Sequence, residues 1–160
     1  EKAAAPPALL CTSGPASAAA IRWIQRCLEV SGDACQLFYS GDFDLRGLSM
    51  GQALANLFPE RFHPWCFDRE TYLAAVAQYP GPALRDAEHA RLKEMTVSWD
   101  PALCAAMHET GRKVHQEAFV EKLAESYRHF LSGNSERMNF NGPEEAVDSL
   151  WAADREVADR

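Results

Sequence analysis

Asp42 and Asp44 are the two residues whose type and spacing most directly suggest chemistry. They close the stretch from Cys35 to Gly47, in which five residues, Cys35 to Tyr39, read as a buried strand and Ser40 and Gly41 turn the chain. In an extended segment, residues two apart point to the same side. Both carboxylates can therefore face one point just beyond the carboxyl end of a strand, where open α/β sheets place their ligands. Two like charges held this close need a cation or a proton between them. Mg²⁺ suits such a pair because it takes carboxylate oxygens and keeps positions for water and phosphate. The competing reading is a solvated turn, since Gly and Asp are ordinary turn formers.

The elements around the pair must position it. Ala8 to Thr12 reads as a short buried strand, broken by Ser13, Gly14 and Pro15. A helix is expected from Pro15 to about Val30, capped by Thr12 or Ser13, with Ala20, Ile21, Ile24, Cys27 and Leu28 on its buried face. After the central strand a second helix starts at Gly47 or Leu48 and stops at Pro59. Strands alternating with helices argue for an α/β fold with a parallel sheet. Phe62 to Phe67 is a third extended stretch, which Pro64 confines to an edge. Asp68 caps a helix over 69–78, and a loop or short helix follows around Arg85 to Met95. Asp100 and Pro101 open a helix that closes at Gly111. A last strong helix is expected from Arg112 to Leu131, with Phe119, Val120, Leu123, Tyr127 and Phe130 on its apolar face. Residues 1–7 read as linker, and 132–160 as a polar loop followed by an acidic amphipathic helix.

Composition narrows the function classes. The chain has 160 residues, 47% apolar and 24% charged, which suits one soluble domain with a real core. No apolar run is long enough to span a bilayer. Net charge is −7, which argues against coating nucleic acid by charge alone but leaves room for a nucleic-acid enzyme with an acidic metal site. The five cysteines are scattered and odd in number, which favours a reducing, cytoplasmic setting. Cys104 and His108 lie one helical turn apart, but two ligands do not make a zinc site.

Four motifs occur in order: Cys11 to Ser17, Tyr39 to Gly47, Trp99 to Leu103, and Gly111 to Glu117. Together they resemble the carboxyl-terminal Toprim-like domain of the nuclease subunit (JetD-type) of Wadjet anti-plasmid defence systems, itself similar to the Toprim domain of the topoisomerase VI A subunit. The resemblance covers roughly residues 8 to 130. It implies a Toprim-like, mostly parallel sheet flanked by helices over 8–131, with a helical carboxyl-terminal extension. It also implies Mg²⁺ (Mn²⁺ as a substitute), cleavage of double-stranded DNA, and work beside an SMC-like loop-extruding complex; a homodimer is among the assemblies left open. Asp42 and Asp44 match the family's metal-holding Asp-x-Asp pair. The family's upstream Glu has no counterpart in this chain, and the expectation is that a longer parent supplies it. His115, Gln116 and Glu117 resemble a late Gln-Glu element, which makes Glu117 a candidate catalytic residue and further ligand. Its alternative is an exposed helical pair with Lys113. Arg46 can contact a phosphate or pair with Asp44. Ser13 and Gly14 can offer amides to a phosphate or form a plain turn. Two rival functions stand beside the nuclease. One is a haloacid-dehalogenase-type phosphatase, although Arg46 stands where that family carries Thr or Val. The other is a non-catalytic Toprim-like interaction module.

Overall fold

In the computed structural model, two short strands and the helix between them carry the aspartate pair. The structure describes residues 8–12, 14–32 and 35–137. Strand β1 (Leu37–Tyr39) pairs in parallel with β2 (Phe62–Pro64), with Leu37 opposite Phe62 and Tyr39 opposite Pro64. Helix α2 (Leu45–Leu57) makes the crossover. Pro64, which has no N–H to give, takes the last strand position, and the ladder continues when Trp65 N–H donates to the Tyr39 carbonyl at 2.7 Å. The expected α/β character and parallel pairing are present. The sheet among the described residues has only these two strands.

Ala8 to Thr12, expected as a strand, is not one. Its residues are exposed, Leu9 and Leu10 included, and among the described residues no strand pairs with it to satisfy its backbone. Helix α1 (Ala18–Ser31) begins later than expected because Ser17, not Thr12 or Ser13, caps it, accepting from Ala20 N–H at 3.1 Å. Only Ile24 and Leu28 of its apolar face are buried. Arg61 holds its far end: one guanidinium nitrogen donates to the carbonyls of Gly32 at 2.6 Å and Cys35 at 3.2 Å. The Gly32 carbonyl also accepts from Cys35 N–H at 3.3 Å, so Arg61 reinforces the turn that follows the helix.

Helix α3 (Arg69–Gln78) spans the expected residues, with Asp68 accepting from Thr71 N–H at 2.8 Å. Helix α4 (Asp86–Glu94) fills the irregular region. Helix α5 (Leu103–Thr110) starts two residues after Pro101. The Asp100 carboxylate still serves its start, accepting from Ala102 N–H at 3.1 Å, and it also receives Arg69 N–H at 2.6 Å. Gly111, at φ 67°, ends α5 in the left-handed conformation that favours glycine.

The largest departure follows Gly111. Residues 112–114 are extended rather than helical. Arg112 bridges Ala83 and Val114 bridges Phe43, both antiparallel. A 3-10 turn (Gln116–Phe119) comes next, and helix α6 (Val120–Arg137) then runs past the expected end at Leu131. A helix from Arg112 would have left the backbone groups of buried Phe43 unpaired. The apolar period of 119–130 belongs to α6, but Val120 is exposed rather than core. Residues 1–7 and the expected amphipathic helix over 143–158 lie outside the described residues.

The core is built around Phe43, which is 0% exposed. Its ring lies 4.8 Å from Phe67, 5.2 Å from Phe119 and 5.3 Å from Tyr72, centroid to centroid. Leu48, Leu103, Met107 and Val114 complete it. Among the described residues, no helix is long and apolar enough to cross a membrane.

Candidate metal and phosphate site

The aspartate pair is set by the residue between them. Phe43 is driven into the core, so its neighbours on an extended backbone must point away from it. Phe43 is also fixed by its backbone: its N–H donates to the Val114 carbonyl at 2.8 Å and its carbonyl accepts from Val114 N–H at 3.2 Å. Asp42 and Asp44 are thereby held on the outer side, with the Asp42 side chain 42% exposed.

Each carboxylate has one oxygen anchored by a backbone amide. Asp42 Oδ1 accepts from Gln116 N–H at 2.8 Å, across 74 residues of chain. Asp44 caps α2, with Oδ1 accepting from Gly47 N–H at 2.8 Å. The other Asp42 oxygen, Oδ2, lies 3.6 Å from His115 Nδ1. Gly47 lies so close to the Asp42 carbonyl that a side chain there would collide with it. Beneath the pair, the Tyr39 hydroxyl donates to the Gly47 carbonyl at 3.0 Å. Burial pushes the Tyr39 phenol up, and the Asp44 and Asp42 carboxylates push it further. Tyr39 is thus held neutral, as a hydrogen-bond donor.

Asp42 and Asp44 are the residues that could hold a Mg²⁺ ion here. The anchored oxygens are oriented by N–H groups, and Asp42 Oδ2 faces His115 Nδ1. Two carboxylates with water and phosphate completing the shell is the arrangement this ion commonly takes in phosphoryl-transfer sites. The Ser40 hydroxyl, buried at the end of β1 without a protein partner, adds a polar group to the same loop. Among the described residues, no group of three or more His, Cys, Asp or Glu side chains is placed to hold a metal. Glu117 sits exposed on the 3-10 turn. Its alternative partner, Lys113, is engaged elsewhere, because the 112–114 segment is not helical.

That engagement opens a feature the motif reading missed. Lys113 Nζ donates to Glu88 Oε1 at 2.7 Å, and Arg85 donates to the same oxygen at 3.0 Å. Glu88 Oε2 accepts from Arg85 N–H at 2.9 Å, closing the first turn of α4. Glu88 is buried, and these partners, the Arg85 guanidinium foremost, hold its carboxyl down at about 2. A cleft of about 500 Å³ opens between this cluster and the start of α2, lined by Asp44, Leu45, Arg46, Arg85, Ala87, Glu88 and Lys113. Arg46 lines this cleft and, among the described residues, forms no ion pair with Asp44. The available signal was the three-residue spacing of Arg85 and Glu88 at a helix start. Nothing local in the sequence points to Lys113. Gly14, at φ 117°, follows Thr12, whose hydroxyl donates to the Gly14 carbonyl at 2.7 Å. Ser13 lies outside the described residues.

The fold and site are those of a mixed α/β domain with an acidic pair after a parallel strand. Residues 1–127 match the family described as "Protein of unknown function C-terminus (DUF2399)", and the chain belongs to that family. All four motifs fall within the matched residues. No curated protein and no solved structure matches the chain.

Proposed function

We propose that this chain is a Toprim-like domain that cleaves double-stranded DNA with Mg²⁺ or Mn²⁺, as the nuclease portion of a cytoplasmic, Wadjet-type plasmid-defence complex. The observation that carries the reading is the placement of Asp42 and Asp44. They flank a fully buried Phe43 just beyond a parallel strand, each with one oxygen fixed by a backbone amide. The family match over 1–127 and the ordered motifs support it.

Asp42 and Asp44 would hold the metal through their unanchored oxygens. A bound Mg²⁺ supplies charge neutralisation at the phosphate and a more acidic water. The chain's own work is positioning. Gln116 N–H and Gly47 N–H keep the carboxylates from rotating, and phosphoryl transfer depends on such positioning more than on covalent help. His115 Nδ1 lies 3.6 Å from Asp42 Oδ2 and borders the site. Tyr39, held neutral by burial, donates to the Gly47 carbonyl and so orients the start of α2.

Asparagine variants separate charge from structure. An asparagine in place of Asp42 keeps an Oδ1 that can accept Gln116 N–H, and Asn is as good a helix cap as Asp at the position of Asp44. Asp42→Asn and Asp44→Asn should each abolish metal-dependent cleavage of supercoiled DNA by the protein that carries this chain, with thermal midpoints unchanged. Asp44→Ala should also lose about 1 kcal/mol of stability with the cap. Cleavage retained in both asparagine variants would remove the nuclease assignment. An aspartyl phosphate trapped on Asp42 would replace it with the phosphatase.

A further inference from the structure

Five of the seven residues that line the cleft beside Asp44 carry charge, and their charged ends stand over a floor that includes Leu45 and Ala87. Three cations and two carboxylates line it. One carboxylate, Glu88, is already consumed by Arg85 and Lys113. Lys113 is 17% exposed and serves mainly to hold Glu88. Arg85 is 80% exposed and spends only one guanidinium nitrogen on Glu88, so the rest of its fork faces the cleft and solvent. Arg46 is exposed and, among the described residues, spends nothing. In a chain of net charge −7, this places two available guanidinium groups in the cleft that Asp44 lines.

We infer that this cleft, through Arg46 and Arg85, grips the sugar-phosphate backbone of the DNA strand next to the phosphate presented at Asp42 and Asp44. The inference rests on the nuclease reading and adds to it a binding surface from the far side of the sequence. Arg46 and Arg85 contact phosphate oxygens; Lys113 is a positioning residue that fixes Glu88 and, through it, Arg85. Such contacts carry no base information, so binding is independent of sequence and strongly dependent on salt.

The test is fluorescence anisotropy of a short labelled duplex with the protein in EDTA, where cleavage cannot occur. Relative to wild type, R46E/R85E should weaken binding at low salt by about tenfold or more and flatten the salt dependence by about 2 in log–log slope. R22E/R26E, which makes the same change in net charge at exposed α1 positions that do not line the cleft, should move the affinity by less than about twofold at about 0.15 M salt, where the Debye length is about 8 Å. D42N/D44N should bind at least as tightly as wild type. Equal effects of the two arginine pairs, or no detectable binding by wild type, would overturn the inference. So would displacement of the duplex by a deoxynucleoside monophosphate at equal phosphate concentration, which would give the cleft to a free nucleotide. The two readings fail separately: cleavage lost in D42N/D44N with R46E/R85E binding normally leaves the nuclease and removes the cleft. Selective loss of binding in R46E/R85E without any metal-dependent cleavage does the reverse.

Discussion

At the residue scale, Phe43 does more for the site than either aspartate. A polar residue there would release the alternation that turns its neighbours outward, and would empty the aromatic cluster around it. Glu88 is the second decisive residue, and its titration is measurable. Its carboxyl is lowered from the ordinary 4.5 to about 2, first by the Arg85 guanidinium, then by Arg85 N–H and Lys113. A carboxyl depressed on folding stabilises the protein fully above its unfolded value. That contribution should fade as pH falls from about 4.5 toward 2, because the folded state then binds fewer protons than the unfolded one. Urea midpoints across this window should fall more steeply for wild type than for Glu88→Gln. At neutral pH, Glu88→Gln keeps an acceptor for Arg85 N–H but leaves Lys113 without its counter-charge, and should cost about 2 kcal/mol. Parallel acid profiles for the two proteins would show that Glu88 is not held as described.

At the element scale, the site is a junction of α2, α4 and the extended segment 112–114. Helix α2 approaches the Asp42 loop at Gly47, and the Trp99 ring at Gly51, where a Cβ would stand 2.7 Å from the indole. Gly47→Ala tests the first approach with an informative sign. Helix propensity alone would favour Ala by up to about 1 kcal/mol. The collision with the Asp42 carbonyl should instead destabilise the domain by about 1–3 kcal/mol and displace the pair. A stabilised Gly47→Ala in thermal melts would mean that α2 does not pack against Asp42. The period of three and four residues from 119 to 130 was legible and belongs to α6. Its extension back to Arg112 was not correct, because the pairing of Val114 with Phe43 is settled by a partner 71 positions away, not by local pattern.

At the scale of the whole molecule, the metal loop and the start of the 3-10 turn are one unit, since Asp42 Oδ1 is held by Gln116 N–H. Titration with Mg²⁺ followed by amide NMR should therefore shift two separate sets of signals together. One set is Ser40 to Gly47; the other is His115 to Glu117. Both should be lost in Asp42→Asn. Shifts confined to the first set would break the proposed coupling, and none at millimolar-range metal would mean that the pair needs the upstream carboxylate or DNA to hold the ion, or that the loop is structural. The distribution of charge also belongs to this scale. A chain of net −7 still gathers Arg46, Arg85 and Lys113 at one opening, from α2, the start of α4 and the segment after α5.

By itself the sequence determined what local forces decide. A strand before Asp42 follows from its apolar run, although only Leu37–Tyr39 of the expected buried strand Cys35 to Tyr39 forms one and Phe38 is exposed; α3 follows from Asp68 and its cap, and the stop of α5 from a glycine free to take positive φ. It also marked Asp42 and Asp44, because a strand followed by two carboxylates two apart is a local statement. Only the tertiary structure decided which groups hold them and what lies beside them. Gln116 and Lys113 reach Asp42 and Glu88 across 74 and 25 residues. Chain separation of that size leaves no trace in local periodicity. The failed strand at Ala8 to Thr12 has the same cause: an apolar run becomes a strand only where another strand can take its hydrogen bonds.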